Sequence, residues 1–405
     1  MITTKLILVS VNVLIFLLPF GVLPGVNLLN GVNVYFIDVL TCVLFVLLLL
    51  KFFKNKYLLR NKLFNSVLLF VVSAFFSLLL NISNLALREF FVSLLYLLRF
   101  LAYSSLLILP LLLTEKFRQS IPLKIFVSGL FFTFFGYIQY FVYPNLRNLF
   151  YLGWDDHLYR FFGTTLDPNF AGAILVITFL LGMGHLFKEN ISKEKKSFYV
   201  ASLVFIIPAI FLTYLRSSLI MFGVSIVVFL IILKKVKWLI LVFCVFVLGI
   251  VFIPKNLGGE GVNLLRTASI EARFESYSRA IHLFGSSPIY GVGFNAYRYA
   301  QIDAGFEIVN QEKNHAGAGV SNSWLFVLAT TGMIGFVLFI NFWFQVIKSI
   351  YKSKSNPVAC SVISIIAGLF VHAMFENSVF YIFIMASVFL MIASFLSTPK
   401  KNKDL

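Results

Sequence analysis

The chain has 405 residues, 60% hydrophobic, 17% aromatic and only 12% charged, with a formal net charge of +17. No soluble domain hides that much apolar surface, and apolar runs of about 18 residues or more recur throughout, so the composition specifies an all-α polytopic membrane protein. A β-barrel would show short alternating strands instead, and the basic residues fall in short runs between apolar spans, which is a topology signal and not a nucleic-acid footprint.

In chain order, the apolar runs predict about twelve spans. They lie near residues 6–23, 34–50, 63–80, 88–113, 123–143, 168–187, 198–214, 217–233, 238–254, 322–347, 357–375 and 378–397. The first run carries Lys5 but no small-residue cleavage site follows, so it reads as a span and not as a removed signal peptide. Six basic groups follow: Lys51, Lys54, Lys56, Arg60 and Lys62; Lys116, Arg118 and Lys124; Lys188, Lys193, Lys195 and Lys196; Lys234, Lys235 and Lys237; Lys348, Lys352 and Lys354; and Lys400, Lys401 and Lys403. With twelve spans, all six groups and both termini share one side, the cytoplasm, and removing one middle span breaks that agreement. The whole chain reads as a single integral membrane domain.

Arg99 falls near the middle of the fourth span, where an unpaired arginine is costly, so it faces a polar interior or a phosphate. Arg88, near the outer end, has an easier escape by snorkelling.

The 144–167 loop ends in "RFFGTTLDPNFAG" (160–172), just before an apolar helix. Asp167 is a good N-cap and Pro168 suits the first helical position. Capping leaves Arg160, Gly163 and Asn169 without a reason. Arg160 supplies charge, Gly163 a close backbone approach and Asn169 a polar group, a set suited to an anion such as a diphosphate. The expected outer side also carries Arg147, Arg216, Arg266, Arg273, Arg279 and Arg298, against the topological bias. Guanidinium groups pair bidentately with phosphate oxygens, which gives such arginines a local reason.

The longest outer segment, about residues 255–321 between the ninth and tenth spans, contains "SIEARFESYSRAIHLF" (269–284). Helical periodicity puts Phe274, Tyr277, Ile281 and Phe284 on one face and Glu275, Arg279 and His282 on another. This is either an interfacial helix presenting cations or a docked surface helix in which Glu275 and Arg279 form an i,i+4 pair. Arg273 flanks the apolar stripe without so obvious a partner and is the better diphosphate candidate. In "SSPIYGVGFNAY" (286–297), Gly291 and Gly293 allow a tight backbone path, but no strand precedes them and no dinucleotide motif is present.

Cys42, Cys244 and Cys360 lie in apolar runs, so neither a disulfide framework nor thiolate chemistry is expected. The histidines lack metal-ligand spacing, and His185 and His372 read as packed or interfacial. The outer loops hold no D-x-D arrangement for a divalent cation, so no metal or cofactor is expected. Base candidates are His315, Glu307, Glu312, Asp303 and Glu376, with His315 and Glu376 foremost. Glu376 and Asn377 form a very short turn between two spans, where an ionisable group is either used or paired with an arginine.

Four pieces stand in a characteristic order: "RFFGTTLDPNFAG", "TYLRSSLI" (213–220), "RFESYSRAIHLFGSSPIYGVGFNAY" (273–297) and "SNSWLFVLATTGMIG" (321–335). This ordered set resembles the superfamily of bacterial O-antigen ligases and O-antigen or capsule polymerases, over roughly the C-terminal two-thirds of the chain. The resemblance implies a helical, GT-C-like glycosyltransferase acting without metal on the outer face of the bacterial inner membrane, with short helices in the long loop. Its donors are glycans linked to undecaprenyl diphosphate, and its surroundings are membrane lipids, a chain-length regulator and a flippase. By position, Arg160, Asn169, Arg216 and Arg273 match family motif residues, the arginines neutralising the lipid diphosphate, with Arg279 and Arg99 as further candidates. Ligases show a histidine before Asn, Ser or Gln, then nine residues and G-x-x-G. Here Asn322, Gly332 and Gly335 keep that spacing, but Ser321 occupies the histidine position, and a serine is no base near neutral pH. Asn322 and Ser321 remain candidates for acceptor positioning. The departure favours a polymerase of O-antigen, capsule or exopolysaccharide over a ligase that transfers to lipid A–core. A transporter or flippase is disfavoured, since no internal repeat is visible and the polar residues concentrate in the outer loops.

Overall fold

Lipid offers no partner to a backbone amide, so long runs of Leu, Val, Ile and Phe close their hydrogen bonds within helices. The computed structural model describes residues 2–29, 32–52, 62–146, 157–254, 262–264, 267–306 and 319–396. It contains α1 (Ile2–Leu17), a hairpin of β1 (Gly25–Leu29) and β2 (Val32–Tyr35), then α2 (Phe36–Phe52), α3 (Lys62–Leu80), α4 (Leu87–Ser104), α5 (Glu115–Val142) and α6 (Pro168–Leu186). There follow α7 (Lys193–Leu212), α8 (Arg216–Ile232), α9 (Leu239–Phe252), α10 (Ala268–Ser286), α11 (Tyr297–Asp303), α12 (Ser323–Tyr351), α13 (Pro357–His372) and α14 (Ile382–Phe395).

Among the described residues, six helices are long and apolar enough to cross a membrane: Lys62–Leu80, Leu87–Leu111, Glu115–Val142, Pro168–Leu186, Lys193–Leu212 and Ser323–Tyr351. Six further apolar helices are shorter, and each of the twelve expected spans overlaps one of these helices. The protein is an all-α membrane protein, with a short strand pair among the described residues. Residues 25–35 form an antiparallel hairpin, Gly25 opposite Tyr35 and Val26 opposite Val34, where β-branched and aromatic side chains suit a strand.

The helix starts obey local chemistry. Asp167, Asn322 and Asn356 each accept backbone N–H bonds as N-caps of α6, α12 and α13, which satisfies donors that a helix start leaves orphaned. The core is formed by α6, α13 and α14, with α13 packed on α8 and α6, α3 on α12, and α5 on both α6 and α14. None of the residues of α9 is buried, and it lies at the edge against α7 and α8. An aromatic cluster joins the N-terminal helices to the rest: Phe70 meets Phe339 at 4.9 Å and Phe100 at 5.4 Å, while Phe294 and Phe339 pack on Phe380. Such ring pairs add roughly 0.5–1.5 kcal/mol each beyond area burial.

The helix α12 is broken at Gly332, whose φ is +62°. An unbroken helix would bond Met333 N to Ala329 O and Ile334 N to Thr330 O. Here those carbonyls instead accept from Val292 N at 3.0 Å and Gly293 N at 3.1 Å, while Met333 N and Ile334 N donate to Pro288 O and Ile289 O. The segment 288–293 therefore takes up two donors and two acceptors that the break releases. The Ser77 hydroxyl of α3 adds a bond to Thr330 O, and the Asn81 amide one to Gly291 O. Irregular backbone inside an apolar bundle is tolerated only when buried in protein with its polar groups paired, as here. At Gly291 and Gly332 a side chain would collide with the opposing backbone, at 2.4 and 2.3 Å.

Candidate functional site

The segment 160–167 is tied down on three sides. Phe161 N donates to Leu212 O at 2.8 Å, and Arg160 Nε to Thr213 O at 3.0 Å, which fastens it to the turn between α7 and α8. Gln139, near the end of α5, accepts from Phe162 N and Gly163 N and donates to Arg160 O. Thr164 bridges to the N-terminal part, donating to Pro19 O and accepting from Val22 N. Arg160 is almost wholly buried. Asp167 caps α6 by accepting from Asn169 N at 2.7 Å, whereas the Asn169 side chain has no hydrogen-bond partner among the described residues. Next to it, Phe170 stacks flat on Tyr381, centroids 3.7 Å apart.

Three residues after Thr213, Arg216 opens α8 and donates from Nη2 to Ser269 Oγ at 2.9 Å. Ser269 lies on α10 one turn before Arg273, so Arg216 and Arg273 are linked through a single helical turn. Arg273 donates from Nε to Phe375 O at 3.2 Å and forms an ion pair with Glu376. Both side chains are largely buried, at 18% and 12% exposure, where one charge without the other would be expensive. On the next turn Tyr277 donates to Met374 O at 2.6 Å, and burial raises its hydroxyl above the ordinary phenol range, so it stays protonated at neutral pH.

The Ser321–Asn322 pair sits beside the same helix. Ser321 N donates to Ser276 Oγ, and Asn322 Oδ1 accepts from Trp324 N and Leu325 N at the start of α12. Ser323 links α12 to the 376–379 turn: its N donates to Ala373 O, its hydroxyl to Glu376 O, and it accepts from Val379 N. His372 is completely buried at the end of α13. Four stretches far apart in sequence, around Arg160, Arg216, Arg273 and Glu376, thus form one contact network with the Ser321–Asn322 start of α12.

Other expected site residues stand elsewhere. Arg279 pairs with Glu275 on the exposed side of α10 and lies over the Phe306 ring at 5.3 Å. The packed face of α10 is Ala280 and Leu283 together with the Arg273 side, whereas Phe274 and Ile281 of the expected apolar stripe are exposed. Arg99 belongs to a separate group: Nη2 donates to Asp38 Oδ2 at 3.0 Å and to Asn33 O at 2.6 Å, and Tyr103 donates to Asp38 Oδ1. His185 is buried and stacked on Tyr199. Asp303 is exposed at the end of α11. His315, Glu307, Glu312, Arg147 and Arg266 lie outside the described residues.

The sequence reading missed Gln139, Ser269, Ser276 and Asp38. A carboxamide and a carboxylate inside apolar helices are the signals that point to Gln139 and Asp38. Two ordinary serines give none.

A comparison with known families bears on the broad class. Residues 201–340 match the O-antigen ligase family. The match runs from α7 into α12 and includes Arg216, Arg273, Ser321, Asn322 and Gly332. It bears out the resemblance to the O-antigen polymerase and ligase superfamily and supports glycosyl transfer on lipid-linked polysaccharide in general terms. No curated protein matches the chain. Arg160, Arg99 and Glu376 lie outside the O-antigen ligase match.

Proposed function

We propose that the protein is a polymerase of surface polysaccharide, O-antigen, capsule or exopolysaccharide. It moves the growing glycan from undecaprenyl diphosphate onto a fresh lipid-linked repeat unit at the outer face of a bacterial inner membrane. In this reading there are twelve crossings, both termini are cytoplasmic, α10 lies outside, and a flippase and a chain-length regulator work beside it. The observation that carries the reading is the linkage of Arg216 to Arg273 through α10, with Arg160 anchored to the same α7–α8 turn.

The proposed chemistry uses those contacts. The acceptor hydroxyl oxygen attacks the anomeric carbon of the donor sugar, the bond from that carbon to the diphosphate oxygen breaks, and undecaprenyl diphosphate leaves with the electron pair. Arg160, Arg216 and Arg273 stabilise the departing negative charge, the task a metal performs elsewhere. When the diphosphate engages Arg273, it competes with Glu376 for the guanidinium, and the released carboxylate takes the hydroxyl proton. Asn169, Ser321 and Asn322 border the acceptor, while Arg279 guides the anionic head from the exposed side of α10. His315 remains the other candidate base. Polymerase is preferred to ligase because Ser321 stands where ligases carry histidine.

The test is the purified protein in liposomes with undecaprenyl-diphosphate-linked repeat units as the sole glycan. A ladder of multiples on a gel is the expected result. Transfer only after lipid A–core is added would make the protein a ligase, and no transfer to either would overturn the reading.

A further inference from the structure

The N-terminal helices, outside the family match, carry a cavity of about 720 Å³ between α2 and α4. Its wall includes Val39, Val43, Val46, Leu95 and Leu98, all exposed on the bundle's flank, with Arg99 near its polar end. From Asp38 to Leu47 the groove follows α2 for about 14 Å at a helical rise of 1.5 Å per residue. An open apolar trough on the flank of a membrane protein suits a hydrocarbon chain.

The polar end is built to hold more than hydrocarbon. Arg99 uses Nη2 alone for both Asp38 and Asn33 O, and its Nε and Nη1 have no hydrogen-bond partner among the described residues. Asp38 is fixed from three directions, by Arg99, Tyr103 and Tyr35 N. The guanidinium is thus immobilised by one nitrogen, with Tyr96 at 5.0 Å beneath it, and retains donors suited to phosphate oxygens. Continuity with the site described above comes through aromatic contacts. Tyr35, at the end of the hairpin, packs on Phe383 at 5.9 Å, Phe383 on Tyr381 at 5.5 Å, and Tyr381 on Phe170 beside Asn169.

Joining two lipid-linked glycans requires two anchored substrates, and each brings a long isoprenoid chain and a phosphate head. The network of Arg160, Arg216 and Arg273 serves one. We infer that the α2–α4 groove binds the isoprenoid chain of the second, the acceptor's carrier, with Arg99 donating to its phosphate. This rests on the proposed transferase reading, and binding can be measured without turnover.

The experiment uses the full chain in nanodiscs with undecaprenyl phosphate bearing a photoreactive diazirine on its terminal isoprene. Labelled peptides are mapped by mass spectrometry. The label is expected on residues 39–47 and 95–102, displaced by unlabelled undecaprenyl phosphate but not by phosphatidylglycerol. Arg99→Gln should weaken labelling about tenfold, a loss of one decade in affinity. Val43→Trp, which fills the trough without touching the ion pair, should do the same should the Arg99 variant fail to fold. In the liposome reaction Val43→Trp should slow ladder formation at low repeat-unit concentration and approach the unsubstituted rate when repeat units are in excess. Label spread equally onto α9, equal displacement by phosphatidylglycerol, or unchanged labelling of Val43→Trp would overturn the groove. Absence of transfer by the unsubstituted protein, with labelling intact, would sink the transferase reading instead.

Discussion

At the residue scale, the three arginines differ in how their loss should be felt. Arg160, Arg216 and Arg273 replaced singly by alanine should each lower transfer by about 100-fold or more, the usual size of a lost charge stabiliser at a departing anion. Detergent-solubilised size-exclusion profiles should stay monodisperse for Arg216→Ala, whose partner is a serine hydroxyl. Arg273→Ala leaves Glu376 buried without its ion-pair partner, so a double variant Arg273→Ala with Glu376→Gln should recover fold stability but not activity. Gln139→Leu removes the amide that accepts from Phe162 N and Gly163 N. It should cost roughly 1–3 kcal/mol in a thermal or denaturant melt. The arginines stand out in the sequence because they break the charge bias expected of an outer loop. Thr213 O and an uncharged serine such as Ser269 carry no pattern in sequence; Glu376 was legible as a carboxylate that an arginine would pair with, but that the arginine is Arg273, 103 positions away, is a property of packing.

At the element scale, the helices were legible because apolar length is a strong signal and the caps at Asp167 and Asn322 mark their starts. The hairpin at 25–35 and the break at Gly332 were hidden inside apolar sequence. The break has no proline to announce it. Gly332→Ala forces a side chain into left-handed backbone, roughly 1–3 kcal/mol, and drives its Cβ against Ile289 O. It should therefore lower the melting temperature and loosen residues 288–293, seen as faster amide exchange at Val292 and Gly293. The helix α10 presents an apolar stripe that splits in two. Its Arg273 side is packed, and Phe274 with Ile281 stays exposed, an arrangement suited to lying in a headgroup layer.

At the scale of the whole molecule, the proposed twelve-crossing arrangement predicts which surfaces each side of the membrane can reach. With Cys42, Cys244 and Cys360 changed to serine, Ser286→Cys should react with an impermeant maleimide added outside intact cells, and Lys237→Cys should react only after permeabilisation. The reverse pattern would refute the topology. The bundle also divides by how it was read. Residues 201–340 carry the family match, whereas α1–α4 carry no motif and were legible only as spans. Yet the aromatic cluster of Phe70, Phe100, Phe339 and Phe380 binds α3 and α4 into the same core.

The interrupted helix α12 bears on how the chain assembles. Residues 288–293 emerge from the ribosome before α12, and as it enters lipid its ladder has every reason to close on itself, Met333 to Ala329 and Ile334 to Thr330. The docked 288–293 segment has four bonds where a closed ladder would have those two, and all four engage the segment, two through its N–H groups and two through its carbonyls. Residues 288–293 and the break in α12 therefore form one cooperative unit, spliced at the motif glycines Gly291 and Gly332, and neither half has its backbone groups fully paired without the other.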